Sequence, residues 1–413
     1  MDFARSPSVN DPARINLWSG SPFWLVKNGL EHPRTVLNTA EQADVVVIGA
    51  GITGALVADA LVTAGLTVVI LERREAGTGS TASSTALLQY EIDLELGELA
   101  SKIGAEKANR AYTASLQAIR TLEGIARTLP DINFETRCSL YLASTRRDST
   151  RLQREVELRS AIGIDVEWWP RERVEERYGF PSFGAIRNMH AAEVDALALT
   201  RALLQRAVSK GARLYEQTGV RGYLSYDAGV KLFTDNGMTV QARQAVCATG
   251  YDLPPFLEQD RVALHSTYAL ATHRLGDLGP WDDRCLIWES ARPYCYMRTT
   301  ADQRVIIGGE DVAFRNAAWR DRLLPQKVRR LEKRLRGLLP TVPTETAYEW
   351  AGTFAETPDG LPYIGRDERY PGMLFALGYG GNGITFSTIA AGLLTAECLG
   401  EPAPDADLFS MSR

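Results

Sequence analysis

Lysine is scarce in this chain. Only seven of its 46 cationic residues are lysine, and 51 acidic residues leave a net charge of −5. That mild acidity excludes a general nucleic-acid binder, because phosphate recognition needs a basic face. The arginine bias is read as genome composition, not function. Cysteine is sparse and odd in number: Cys138, Cys247, Cys285, Cys295 and Cys398, with no CxxC pair. This excludes a disulfide framework or a structural zinc site and fits a reducing compartment, so a cytoplasmic location is expected. The four histidines, His32, His190, His265 and His273, are scattered and form no HExxH pair, so no metal is expected. No basic stretch followed by an apolar run opens the first 40 residues, so no signal peptide is expected. The most apolar segment, Ala43 to Leu71, carries Asp59 and turn-like glycines at 49, 51, 54 and 65. It reads as strand, turn, helix and strand, not as a membrane span. Internal repeats and low-complexity linkers are absent.

What is present is the composition of a soluble globular protein: 413 residues, 45% hydrophobic and 23% charged, long enough for two domains. Residues 1–40 read as a loop-like arm with Trp18, Phe23 and Trp24. Asp44–Ile48 and Thr67–Leu71 read as buried parallel strands around a helix over Ala55–Ala64 that Gly65 closes. Helical spacing runs from Glu91 to Leu129, over Arg151–Leu158 and Arg171–Arg177, and most clearly over Ala196–Ser209. Strand-like runs follow at Arg213–Glu216, Val230–Thr234, Thr239–Gln241, Ala245–Ala248, Val262–Thr272, Leu286–Glu289, Tyr294–Thr299 and Arg304–Gly308. Leu323–Leu339 reads as a basic amphipathic helix interrupted near Pro325, an ordinary surface helix and not a membrane or nucleic-acid element. Trp168 and Trp169 read as packing residues. The chain closes with a strand at Met373–Ala376, a Gly-rich turn and a helix from Ile384 to Leu399.

One motif carries specific chemistry. Gly49-Ala50-Gly51-Ile52-Thr53-Gly54 follows a strand and opens a helix, and Glu72 ends the next strand, 23 residues after Gly49. Gly49 permits the tight turn, Gly51 lets backbone approach a pyrophosphate, and Gly54 lets helix and strand pack closely. The helix N-terminus offers N–H groups and partial positive charge to phosphates. Glu72 is placed to accept from a ribose 2′-OH, which disfavours NADP. A second strand–turn–helix, Phe375 to Thr385, follows Thr357-Pro358-Asp359-Gly360-Leu361-Pro362-Tyr363-Ile364-Gly365. Its helix N-terminus can face a flavin or simply form a turn.

With these motifs the chain resembles the FAD-dependent D-amino-acid oxidase superfamily, which includes glycine and sarcosine oxidases, and within it the gamma-glutamylputrescine oxidoreductase branch. The resemblance spans about Trp24 to Leu399. It rests on the fingerprint with Glu72, on Ala248-Thr249-Gly250, on Ala351-Gly352-Thr353 leading into TPDGLPYIG, on Gly378-Tyr379-Gly380-Gly381-Asn382-Gly383-Ile384-Thr385, and on Arg292–Arg298 running to Gly309. It implies an α/β plus α+β chain: a Rossmann-like FAD-binding domain of the GR2 type and a substrate domain on a mainly antiparallel sheet. The expected division is an arm at 1–40, an FAD domain from 41–105, 190–255 and 345–413, and a substrate or cap domain from 106–189 and 256–344. The FAD contacts it implies are Gly49, Gly51, Ile52, Thr53, Gly54, Glu72 and Arg73. Further contacts are Ser80, Thr81, Ser84, Thr85 and Ala86 within the loop Gly77–Ala86, then Val220 at the adenine end, Ala248, Thr249 and Gly250. The last are Asp359, Gly380, Gly381, Asn382, Gly383, Ile384 and Thr385. The implied reaction is oxidation of the C–N bond of a primary or secondary amine by hydride transfer to flavin, giving an imine that water hydrolyses. An amino-acid oxidase of the glycine, sarcosine or D-amino-acid kind, or a 2-hydroxy-acid dehydrogenase, is the alternative.

Three departures shape the expectation. Phe354 stands where glycine and D-amino-acid oxidases place a carboxylate-pairing Arg, which disfavours a simple α-amino acid unless Arg292 or Arg298 substitutes. Phe354 also stands where sarcosine oxidase bonds FAD through Cys, and no His lies in Gly77–Leu88, so FAD is expected to be non-covalent. Ile306 aligns where some oxidases carry an oxygen-promoting Lys, so the electron acceptor is O₂ or another, unidentified partner. Arg292, Tyr294, Tyr296 and Arg298 alternate along a strand and are the substrate-side candidates, the tyrosines suiting a cationic amine or serving as packing aromatics. Gln89, Tyr90 and Glu91 are further pocket candidates, Glu91 either pairing with an ammonium or acting as a helix N-terminal acid. The oligomeric state is not assigned.

Overall fold

The computed structural model describes residues 16–30, 35–258, 261–340 and 342–413. His32 and part of the expected arm, 1–15 and 31–34, lie outside the described residues. The β-branched run of Glu41–Ile48 becomes the centre of an eight-stranded sheet. Its order is Tyr363–Arg366, Met373–Leu377, Thr239–Cys247, Glu41–Ile48, Val68–Leu71 and Arg213–Tyr215, with the hairpin Val220–Tyr226/Gly229–Thr234 joined to Thr239–Cys247. Only the Tyr363–Arg366 edge and the hairpin are antiparallel.

Strand alternation explains how this sheet is covered on both faces. Val45, Val47, Val68 and Ile70 pack with the helices Ile52–Thr63, Ala196–Ser209 and Gly383–Leu399. Val46, Ile48, Val69 and Leu71 face the other way, onto Val220, Val230 and Leu232 of the hairpin. The helix Ile52–Thr63 is buried nearly all round and Gly383–Leu399 chiefly over its first half, as expected of apolar segments wedged between layers.

The larger sheet has ten strands and is antiparallel except where Leu286–Glu289 runs parallel to Glu135–Leu142. Its order begins Trp18–Gly20, Thr346–Glu356, Ala263–Thr272, Val305–Ala313, Cys295–Thr299. Trp18–Gly20, in the expected loop-like arm, is thus an edge strand, and Phe23–Asn28 is a short helix with Phe23 and Trp24 buried. The segment 345–413 divides: Thr346–Glu356 lies in the larger sheet, whereas Tyr363–Arg366 and Met373–Leu377 lie in the smaller.

Several expected elements differ in extent. The helical spacing from Glu91 breaks at Gly104, whose φ of 89° ends Leu96–Ile103 before Ala105–Ala126 begins. Thr239–Gln241 and Ala245–Ala248 are one strand, Thr239–Cys247, because Val240 and Ala242 are buried between exposed Gln241 and Arg243. Pro325 does not interrupt its helix, which runs Ala317–Leu338. Pro325 is exposed there, so the Asp321 carbonyl that loses its backbone donor is open to solvent, while Leu324, Val328, Leu331 and Leu335 hold the apolar face.

Candidate functional site

At the end of Glu41–Ile48 the chain turns through Gly49, whose φ is +106°. A Cβ there would lie 2.5 Å from the Ala248 carbonyl oxygen, and one on Gly54 would lie 1.8 Å from the Gly49 oxygen. Neither position admits a side chain. No side chain caps the helix Ile52–Thr63, though the Ile52 N–H donates to Thr81 Oγ1 at 3.0 Å. Its N-terminus therefore keeps partial positive charge. The Glu72 carboxylate accepts from the Ala50 N–H at 2.8 Å and the Arg74 N–H at 2.7 Å, which fixes it beside the turn.

These groups open into a cavity of about 960 Å³ that continues to the larger sheet. Three indoles pin the loop along its wall: Trp18 donates to Thr78 O at 2.8 Å, Trp24 to Ser84 O at 2.6 Å and Trp350 to Ser83 O at 2.9 Å. Opposite, Gly380–Gly383 leads into the helix Gly383–Leu399, which again lacks a side-chain cap. Asp93 accepts from the Gly381 N–H at 2.8 Å, and the Asn382 side chain donates to the Glu91 carbonyl.

The far end is aromatic and acidic. The Tyr294 and Tyr296 rings lie 5.6 Å apart, and the exposed Arg292 guanidinium sits 4.9 Å from the Tyr294 ring centre. Tyr296 lies across Gly308, its strand partner, where a Cβ would approach the ring to 2.5 Å. Phe354 stacks on His265 at 5.4 Å, and His265 Nε2 is 3.3 Å from Glu356. Glu91, Asp93 and Asp311 line this end. Burial raises the pKa of all three, against the pull of Arg159 on Glu91 and of Arg292 on Asp93; Asp311 is pushed up to about 7.

The FAD contacts expected from the resemblance all line the cavity except Gly54, Asp359 and Thr385. Gly54 packs against the turn, Asp359 is salt-bridged to Arg413 at 2.8 Å, and Thr385 donates to the Gln89 carbonyl at 3.0 Å. Arg292, Tyr294, Tyr296 and Phe354 line the cavity together. Arg298 does not join them. It is 2% exposed and donates to the carbonyls of Ala86 at 2.7 Å, Val194 at 2.8 Å and Thr299 at 2.9 Å, as a buried guanidinium must. Gln89 and Glu91 line the cavity, whereas Tyr90 turns away onto Tyr112 and Arg159; Ile306 is fully buried outside the lining. Glu91 is not a helix N-terminal acid, since the next helix begins at Leu96.

Asp93, Asp311, Trp288 and Tyr251 line the cavity without having been singled out in the sequence. A weak signal existed for Asp311, which follows Gly308-Gly309 on the same strand. Cys138, Asp283 and Cys285 bring their ligand atoms within 4.8 Å of one another beside the parallel strand pair. Among the described residues no helix is long and apolar enough to cross a membrane.

A βαβ dinucleotide turn and a second uncapped helix end, sharing one cavity with a large antiparallel sheet, define a dinucleotide-cofactor oxidoreductase. The family model described as FAD dependent oxidoreductase (DAO) matches residues 44–397, so the chain belongs to that family and is an FAD-dependent enzyme. The chain is 26% identical over 388 residues to a glycine oxidase of Geobacillus kaustophilus (strain HTA426), covering 90% of this chain and 97% of that one. It is 26% identical over 399 residues to the gamma-glutamylputrescine oxidoreductase of Escherichia coli (strain K12), covering 92% and 88%. Among solved structures, glycine oxidase from Geobacillus kaustophilus superposes with a TM-score of 0.76 at 23% identity, covering 90% of this chain and 99% of that one. L-proline dehydrogenase from P. horikoshii reaches 0.72 at 19% identity, covering 90% and 97%.

The cavity fits the cofactor on its own chemistry. The uncapped helix start offers N–H groups to phosphate, and Ser80 Oγ is buried in the lining without a partner.

Proposed function

We propose that this protein oxidises the C–N bond of a primary or secondary amine, with FAD bound non-covalently along the cavity. Gly49, Gly51, Ile52, Thr53, Ser80 and Thr81 would hold the pyrophosphate, and Glu72 and Arg73 the adenosine ribose, with Val220 at the adenine. Ser84, Thr85, Ala86 and Ala248–Gly250 would lie along the middle, and Gly380–Ile384 would meet the flavin end. Bound FAD supplies the hydride acceptor, and water hydrolyses the resulting imine. The protein's part is orientation: Tyr294 and Tyr296 present ring faces to an amine, and Phe354 and Trp288 exclude water around it.

The observation that carries this reading is the charge of the far end. Three carboxylates line it, and the cations among the described lining residues are Arg73, Arg74, Arg221 and Arg292. The first two pair with Asp252 beside the fingerprint strand, and Arg298 is committed to backbone carbonyls. With Phe354 in place of an arginine, Arg292 is left as the candidate anchor for a substrate carboxylate. Arg292 supports a second reading, an amino-acid oxidase in which its guanidinium pairs with the substrate carboxylate.

Anaerobic bleaching of the flavin absorbance tests both. Bleaching by alkylamines is expected. Bleaching by glycine, sarcosine or D-alanine alone would overturn the first reading, and Arg292→Ala abolishing that bleaching would establish the second. The acceptor is tested separately, by comparing re-oxidation by O₂ with re-oxidation by an artificial quinone.

A further inference from the structure

We propose that Glu91, Asp93 and Asp311 form a subsite for a second ammonium or guanidinium group, so that the protein selects amines carrying two positive charges; this builds on the amine reading above. Nearly all buried polar atoms in folded proteins are hydrogen-bonded. Here two carboxylate oxygens in one cavity wall are not: Oε2 of Glu91, a residue only 3% exposed, and Oδ1 of Asp311. Each such atom carries an uncompensated desolvation cost unless a ligand completes it.

The surrounding cations compensate the cluster only in part. Lys327 donates to Glu310, Arg159 sits 2.8 Å from Glu155 and 3.7 Å from Glu91, and Arg292 pulls on Asp93 from a distance, so that among the described residues no ion pair reaches Asp93 or Asp311. Asp93 has a single backbone donor, Gly381. Burial and mutual repulsion among Asp93, Asp311 and the nearby Glu356 oppose ionisation, and a bound cation relieves both.

The reacting nitrogen does not meet this need. An amine gives up a hydride from its α-carbon only when the nitrogen lone pair is free, so that nitrogen is uncharged at the moment of transfer. Three carboxylates therefore exceed what the reacting group uses. A persistent positive charge further along the substrate satisfies them, and Tyr294 and Tyr296 line the path between with faces suited to a cationic chain.

The test is equilibrium binding to the reduced holoenzyme, which takes no second hydride, measured by calorimetry. The probes are a straight-chain four-carbon α,ω-diamine and the alkylamine of the same length. The diamine is expected to bind at least tenfold tighter, and Asp311→Asn or Asp93→Asn to remove most of that preference. Equal affinities, or a ratio that both variants leave unchanged, would overturn the subsite even if alkylamines bleach the flavin. A diamine preference that depends on Asp311 in a protein that no amine bleaches would keep the subsite and sink the amine-oxidation reading.

Discussion

The indole N–H of Trp24 donates to the backbone carbonyl of Ser84 at 2.6 Å, linking the N-terminal segment to the loop that lines the cofactor cavity. Trp24 is 1% exposed, so this bond is shielded from water. Trp24→Phe keeps an aromatic ring but removes the donor and part of the buried volume. Loss of one buried hydrogen bond costs about 1–2 kcal/mol. A fall of a few degrees in the thermal midpoint and a several-fold weaker hold on FAD are expected, read by denaturation and by flavin release on dialysis. Unchanged values would show that Trp18 and Trp350 alone fix the loop.

The fingerprint glycines are not equivalent. At Gly54 a Cβ would sit 1.8 Å from a backbone oxygen, whereas at Gly51 it would meet only Thr81 Oγ1 at 3.2 Å. Gly54→Ala is expected to abolish FAD incorporation, and Gly51→Ala to reduce it while leaving a folded protein. The flavin-to-protein absorbance ratio after purification ranks them.

Gly308→Ala addresses the substrate end. The new methyl would enter the space of the Tyr296 ring, which must then leave its place beside Tyr294. FAD content should hold while the rate of flavin bleaching by amine falls at least tenfold. A rate within twofold of the parent would show that Tyr296 takes no part in substrate orientation.

Asp311 makes stability and binding respond to pH in opposite senses. Burial holds its carboxyl at about 7, against an ordinary value of 3.8. Glu356 and Asp93 push it the same way, while Thr267 and Lys327 pull it down. Above about pH 4 the unfolded chain ionises this group and the folded chain does not, so stability is lost as pH rises towards 7. Asp311→Asn should therefore raise the stability at pH 8 by up to a few kcal/mol, at about 1.4 kcal/mol per unit, read as a higher thermal midpoint, with no difference near pH 4. Diamine affinity should instead rise through pH 7 as the carboxylate forms.

Non-covalent attachment has a direct check. Acid precipitation should leave the yellow colour in the supernatant. Flavin retained in the pellet would overturn the role given to Phe354.

Much of the nucleotide half was legible because its signals are local. An unbroken Val-Val-Val-Ile run, three glycines at fixed spacing and a helix-forming segment specify strand, turn and helix within one stretch of chain. Ala196–Ser209 has the same bounds in the sequence reading and in the structure, because Asp195 caps it through two backbone N–H groups and its apolar spacing is regular. Thr346–Glu356 carries no such local mark for the sheet it joins. It adjoins the TPDG segment in sequence, yet pairs with Ala263–Thr272 and Trp18–Gly20, and only those distant partners place it.

The amino-acid sequence by itself determined the dinucleotide turn and the acid at the following strand's end, which need only residues close together in the chain, and the family, which is read from several motifs each short and local. Tertiary structure decided which charges share the cavity. Arg298 alternates with Tyr296 and reads as its neighbour, but the carbonyls of Ala86 and Val194 close around it and remove it from the site. Asp93 and Asp311 lie more than two hundred residues apart in the chain and meet in one wall because Gly381 donates to the first and the strand Val305–Ala313 carries the second. Burial shifts a titration and pairs distant charges only after the chain has folded, which is why spacing along the sequence carried no trace of it.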